Sequence, residues 1–300
     1  MLVACSNCML CRKSRATEWT MRILAEMGYS NTAYFITLTY DDENLPYNMN
    51  LNPNDLKNFW KRARKAGLVE TGKQLKYYAC GEYGDQNLRP HYHAIVLNMK
   101  LDLTKMYQEI DMNGKINIRS AEIDKIWGMG KNAIGGAQRE SIFYVTGYIR
   151  KKLNGKKAKE EYGENIPPFA RSSGNIGFQY VKDNAEQILK NGYIPYDNGS
   201  KRKIPRTWLR WLEKLGYEKE LREMKWKIES QQVEDITKEI ETITKYLNED
   251  YDETYNYLKI QEKFNGTKTG TLRNWRQVMT ERNSILRENE LKTKDLTRYL

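Results

Sequence analysis

Both histidines of this 300-residue chain fall in one short stretch, Pro90-His91-Tyr92-His93-Ala94, followed by the apolar run Ile95-Val96-Leu97. Bounded by Pro90 and Asn98, the run reads as a buried strand. Side chains alternate along a strand, so His91 and His93 share one face while Tyr92 points to the other. Two imidazoles on one sheet face can share a divalent cation. The competing reading is two stacked histidines with no metal between them.

The stretch Lys76 to Glu82 reads as a second strand, and Tyr83 to Leu88, containing Gly84 and Asp85, as a connection that folds it back on Arg89 to Asn98. Antiparallel pairing across that connection brings Glu82 beside the histidines. A carboxylate and two imidazoles make a three-ligand site with open positions, suited to Mg²⁺ or Mn²⁺ acting on a phosphate. The alternative for Glu82 is a pairing with Arg89 at the strand edge.

A second constellation is Tyr144-Val145-Thr146-Gly147-Tyr148-Ile149-Arg150-Lys151-Lys152, inside a helix expected from Glu140 to Leu153. At i, i+4 spacing the two phenols share a stripe, and Lys151 lies three residues beyond Tyr148. A phenol of ordinary pKa is a poor nucleophile without a cation nearby, and tyrosines at this spacing equally suit core packing.

Charge is unevenly placed. Residues 1–215 hold 34 lysines and arginines against 22 acidic residues, a net of +12; residues 216–300 hold 16 against 17, a net of -1. A basic region in a chain with 21 tyrosines and 7 tryptophans suits a polyanion with stackable bases. No apolar run reaches membrane-span length, and Met1-Leu2-Val3-Ala4 is too short for a secretory signal, so an intracellular chain is expected. Cys5, Cys8 and Cys11 form Cys-x-x-Cys-x-x-Cys. These are three of the four ligands of a usual zinc site, with Cys80 the remaining cysteine; reduced thiols under a helix are the other reading.

The remaining elements expected are helices over Ser14–Gly28, Asn54–Ala66 (capped by Asn54), Leu103–Ile110, Ser120–Trp127 and Phe178–Leu189. Strands are expected over Tyr34–Tyr40 and Lys115–Ile118. Gly128, Gly130, Gly135 and Gly136 read as a turn region, and Asn154–Glu164 and Arg171–Gly177 as polar stretch and loop. Residues 216–300 read as charged helices. Val233, Ile236, Ile240, Ile243 and Leu247 form a heptad seam there, consistent with oligomerisation through these helices.

Three blocks together resemble the HUH-type replication initiators: Phe35-Ile36-Thr37-Leu38-Thr39, then His91 and His93, then Tyr144, Tyr148 and Lys151. The chain is more similar still to the rolling-circle initiators of small icosahedral phages, Microviridae of gokushovirus type. It shares their Cys-x-x-Cys-x-x-Cys-Arg, Phe-Ile-Thr-Leu-Thr-Tyr-Asp-Asp, Gly-Glu-Tyr-Gly…Arg-Pro-His-Tyr-His and Tyr-x-x-x-Tyr-x-x-Lys-Lys. The resemblance covers about residues 1–215. It departs at Arg171–Gly177, which matches a Ser-Arg-x-Pro-Gly-Ile-Gly segment only loosely.

The resemblance implies an α+β fold, a central antiparallel sheet of HUH/RRM-like palm type flanked by helices. It places the endonuclease domain at residues 1–215, with a Cys-rich segment 1–13 and a helical region 216–300. His91, His93 and Glu82 would hold the metal, Tyr148 would attack a phosphodiester of an origin in single-stranded DNA, Lys151 would stabilise the developing charge, and Tyr144 would make the closing transfer. Host polymerase and helicase would be partners, in the host cytoplasm. A relaxase or transposase of the same superfamily, a non-enzymatic single-strand binder and a zinc-bearing adaptor are the rival readings.

Overall fold

The computed structural model describes residues 8–228, apart from 85–86, 111–113, 115, 152–155 and 197–198, together with residues 230, 231 and 238. The described chain forms two compact units that part between Asn184 and Ala185.

The first unit is α+β, and its centre is a five-stranded antiparallel sheet. The strands are β1 (Ala33–Tyr40), β2 (Lys76–Tyr83), β3 (Pro90–Leu97), β6 (Gly130–Gly136) and β7 (Phe169–Ser172), in the order β6-β1-β3-β2-β7. The histidine strand is thus the middle one. Its near-continuous apolar run follows from burial on both faces. A separate ribbon pairs β4 (Met106–Ile110) with β5 (Ile116–Ser120).

Helices cover both faces. On one lie α2 (Pro53–Lys65) and α3 (Ala121–Trp127); Leu56, Phe59, Trp60, Ala63, Ile123, Ile126 and Trp127 pack with Ile36, Leu38, Tyr92, Ala94 and Val96. Asn52 caps α2, accepting from the Asn54 amide, with Pro53 at the first helical position; the cap therefore sits two residues before Asn54. On the other face lie α1 (Met9–Met27) and α4 (Arg139–Lys151), where Ile23, Ile142, Val145 and Tyr148 pack with Tyr78, Cys80, Ile95 and Leu97. Each large apolar side chain buried this way contributes about 1.5–3 kcal/mol. The helix α1 starts earlier than the pattern suggests, because Cys8 serves as its cap and accepts from the Cys11 amide.

Several expectations are corrected. Residues 103–110 are not a helix: Asp102 caps only a single 3-10 turn, and Met106–Ile110 pairs with β5, whose isoleucines offer cross-strand partners. The glycine region is a strand from Gly130 to Gly136. Gly130 (φ 139°) is required there, since a Cβ would come within 2.3 Å of the Thr39 carbonyl oxygen. Arg171 and Ser172 belong to β7, and Lys156–Tyr162 forms α5. The helix expected over Phe178–Leu189 breaks at Asn184 into α6 (Phe178–Asp183) and α7 (Ala185–Asn191).

The second unit holds α7, a short pairing of β8 (Ile194–Pro195) with β9 (Lys201–Arg202), α8 (Arg206–Lys214) and a helical stretch over 218–228. The heptad seam at 233–247 lies outside the described residues. Among the described residues no helix is long and apolar enough to cross a membrane.

Candidate metal and tyrosine site

The β2–β3 register places Glu82 opposite His91 and Cys80 opposite His93. The Glu82 Oε1 lies 2.9 Å from His91 Nε2 and 3.0 Å from His93 Nε2, so one carboxylate oxygen is shared by two imidazoles. The three ligand groups lie within 4.8 Å of one another. Arg89, the other candidate partner of Glu82, reaches instead to Asp42 and the Tyr40 carbonyl. Tyr92 faces the opposite core, bonded to Tyr40 and Asn52.

Each histidine is also held from behind. His91 Nδ1 lies 3.1 Å from the Arg89 carbonyl oxygen, which only accepts, so Nδ1 carries the proton. In the neutral ring Nε2 is then a lone pair aimed at a carboxylate oxygen, an arrangement that requires a cation between them: a proton in one state, a metal in another. His93 Nδ1 is bonded to Thr37 Oγ1 at 2.9 Å, and the Phe35 ring stacks on the imidazole at 5.5 Å. Such outer partners fix ring orientation in metal sites. The donor set, one carboxylate oxygen and two oriented imidazole nitrogens, fits a divalent cation.

Burial opposes ionisation of Glu82, yet hydrogen bonds from His91, His93 and Tyr148 outweigh it and hold the carboxyl down at about 2. Burial lowers the pKa of His93 and so favours its neutral, ligand form.

The tyrosines stand over this cluster. Ile142 and Val145 bury one face of α4 against the sheet, and the buried Thr20 and Thr146 hydroxyls meet at 2.9 Å between α1 and α4. The Tyr144 hydroxyl lies 3.5 Å from His93 Nε2, and Tyr148 stacks on His93 at 5.9 Å and hydrogen-bonds Glu82. The two phenol rings meet edge to face at 4.9 Å. Tyr148 is 8% exposed and Tyr144 49%. Burial, followed by the contacts with Tyr144 and Glu82, raises the Tyr148 pKa. Lys151 is the last residue of α4; its side chain lies outside the described residues.

Sequence reading missed the part played by Thr37 and the Arg89 carbonyl. The signal for Thr37 was present in the alternation of Phe35, Thr37 and Thr39, which puts all three on the histidine face once β1 pairs with β3. Cys5 lies outside the described residues, and the zinc expectation with it; Cys80 is fully buried in the sheet.

A central antiparallel sheet carrying a Glu-His-His cluster under a two-tyrosine helix defines an α+β protein built to hold a cation beside two phenols. Residues 33–153, from β1 past the tyrosine helix, match the family model of replication-associated proteins of the ORF2 type. Over 238 residues the chain is 35% identical to replication-associated protein ORF2 of Spiroplasma virus 4, covering 74% of this chain and 73% of that protein. It is 32% identical over 222 residues to replication-associated protein VP4 of Bdellovibrio phage phiMH2K, covering 72% and 69%. Replication-associated protein ORF4 of Chlamydia phage 1 is 28% identical over 218 residues, covering 70% and 53%. No solved structure matches. The chain belongs to the family of phage replication-associated proteins, of Microviridae type.

Proposed function

We propose that this chain initiates replication of a single-stranded phage genome by nicking DNA through a tyrosine, acting in the host cytoplasm. The observation that carries the reading is the approach of both α4 phenols to the Glu82, His91 and His93 cluster. The names of its phage relatives favour an initiator over a relaxase or transposase with a similar site.

In this reading Glu82, His91 and His93 hold Mg²⁺ or Mn²⁺. When bound, the cation supplies Lewis acidity at a non-bridging oxygen of the scissile phosphate. Tyr148 oxygen forms a bond to phosphorus as the bond to the 3′ oxygen breaks. The phenol loses its proton, and the leaving oxygen gains one as a free 3′-hydroxyl that primes a polymerase. The 5′ end remains as a phosphotyrosine ester, so rejoining needs no nucleotide cofactor. Lys151, one turn on from Tyr148, stabilises the developing negative charge. Tyr144 accepts the strand in the second transfer. The helical region 216–300, near neutral in charge, is assigned to protein contacts, host replication proteins or a second copy, rather than to DNA.

Exposure favours a second reading of the tyrosines. Tyr144 is half exposed and lines a cleft, whereas Tyr148 is buried, which suits Tyr144 for the first cut. The spacing of Tyr148 to Lys151 favours the order given above. Incubation with circular single-stranded DNA and Mn²⁺ tests the activity. A protein–DNA adduct that resists denaturant and needs His91 and His93 supports it; cleavage at full rate in chelator removes the metal role.

A further inference from the structure

Beside the histidines the sheet opens into a cleft of about 900 Å³. His93 and Tyr144 form its inner end, β1 and β6 its floor, and Ile116 and Ile118 of β5 its outer wall. The floor is flat for a reason visible in the register. Thr37 pairs with Ala133 and Phe35 with Gly135, so on the histidine face β6 presents only a methyl group and a hydrogen. A Cβ built at Gly135 meets nothing within 4 Å.

The wall is apolar and open. Ile116 and Ile118 are 58% and 44% exposed, on the same ribbon face as the exposed Ile110. Three isoleucines in solvent on one small ribbon mark an interaction surface. The charges lining the cleft do not make an anion site. The Arg119 guanidinium is tied to Glu109 and to the Asn132 carbonyl, and Glu140 adds a carboxylate to the lining. A phosphate is disfavoured there, whereas a flat apolar group with hydrogen-bonding edges is not.

We infer that this cleft seats one or two unpaired nucleobases of the strand whose phosphate lies at the histidines. The inference rests on the nuclease reading and adds to it the base-binding part of the site. A nucleotide joined to a phosphate beside His93 and Tyr144 has its base at the mouth of the cleft. Phe35 and Tyr144, edge to face at 6.2 Å, supply aromatic surface at the inner end. Ile116 and Ile118 supply the aliphatic side that separates a base from its neighbours. A base inside a duplex is stacked and paired and cannot enter.

The test is binding by the full chain in chelator, where no strand is cut. Labelled single strands of about 30 nucleotides, longer than usual site sizes, are compared with strands of equal length built from abasic sugar phosphates. Gly135→Val, which fills the floor, and the Ile116→Ser/Ile118→Ser double variant, which strips the wall, are measured beside the parent. The parent should prefer the base-bearing strand by at least about tenfold, and both variants should lose that preference. The slope of log affinity against log salt should be unchanged, because phosphate contacts are untouched. Retention of the full preference by a folded Gly135→Val protein overturns the inference. So does a wall variant that changes only the oligomeric state, since the ribbon then serves a second copy. Failure of the nuclease reading is separable: it shows as no covalent adduct with Mn²⁺ even where bases are bound.

Discussion

Glu82 stands directly across the β2–β3 ladder from His91, and its Oε1 lies 2.9 Å from that imidazole's Nε2. Nine residues of sequence separate them, and an antiparallel turn closes that separation to a hydrogen bond. Since the same oxygen reaches His93 Nε2, three groups are preset around one point before any ligand arrives.

Mn²⁺ should therefore stabilise the folded protein. At about a hundred times its dissociation constant, an ion bound only by the folded state adds about 2.7 kcal/mol, a Tm rise of roughly 5–10 °C for a domain of this size. The rise should vanish in His91→Ala and His93→Ala and shrink in Glu82→Gln. DNA affinity should stay within about twofold in all three, because it rests on the basic surface. Differential scanning fluorimetry and anisotropy read the two effects separately; an unchanged Mn²⁺ shift in His93→Ala would sink the metal assignment.

Acid should expose the carboxylate in the metal-free protein. Folding holds Glu82 at about 2 against an ordinary value of 4.5. A depressed folded pKa gives stability that is present above the unfolded value and lost as pH falls through the window between them. Glu82→Gln should thus lose less Tm than the parent between pH 4.5 and the lowest pH at which folding persists. Parallel curves for the two proteins would show that Glu82 is not held in its charged form.

The buried hydroxyl pair that docks the tyrosine helix should behave as a unit. Thr146→Val removes one partner of the 2.9 Å contact and leaves the Thr20 hydroxyl in the α1–α4 interface. The expected cost is about 1 kcal/mol, and the Thr20→Val/Thr146→Val double variant should cost less than the two singles together. Denaturant titration of the cycle decides it, with strict additivity as the contrary result.

Much of the site was legible in the sequence because it is built on strict periodicities. Alternation put His91 and His93 on one face, and helical spacing put Tyr144 and Tyr148 on one stripe; neither needs long-range information. The juxtaposition of Glu82 needed only a hairpin. Misread segments are those where tertiary pairing overrides local pattern. Met106–Ile110 has helix-compatible residues and becomes a strand because Ile116–Ser120 lies opposite. The Gly130–Gly136 strand is glycine-punctuated, and only its pairing with β1 reveals it. Thr37, bonded behind His93, is invisible without knowing that β1 and β3 are neighbours although 56 residues part the two side chains.

Strand cleavage through an α4 phenol, the central claim, is tested most directly by mass spectrometry of the DNA-linked peptide. The protein is reacted with circular single-stranded DNA and Mn²⁺, digested, and the nucleotide-bearing residue located. The adduct is expected on Tyr148, with its loss on a first cut in Tyr148→Phe and cutting without circularisation in Tyr144→Phe. An adduct on Tyr144 alone would exchange the two roles in favour of the more exposed phenol. An adduct on neither residue, with active protein and metal present, would contradict the tyrosine mechanism altogether.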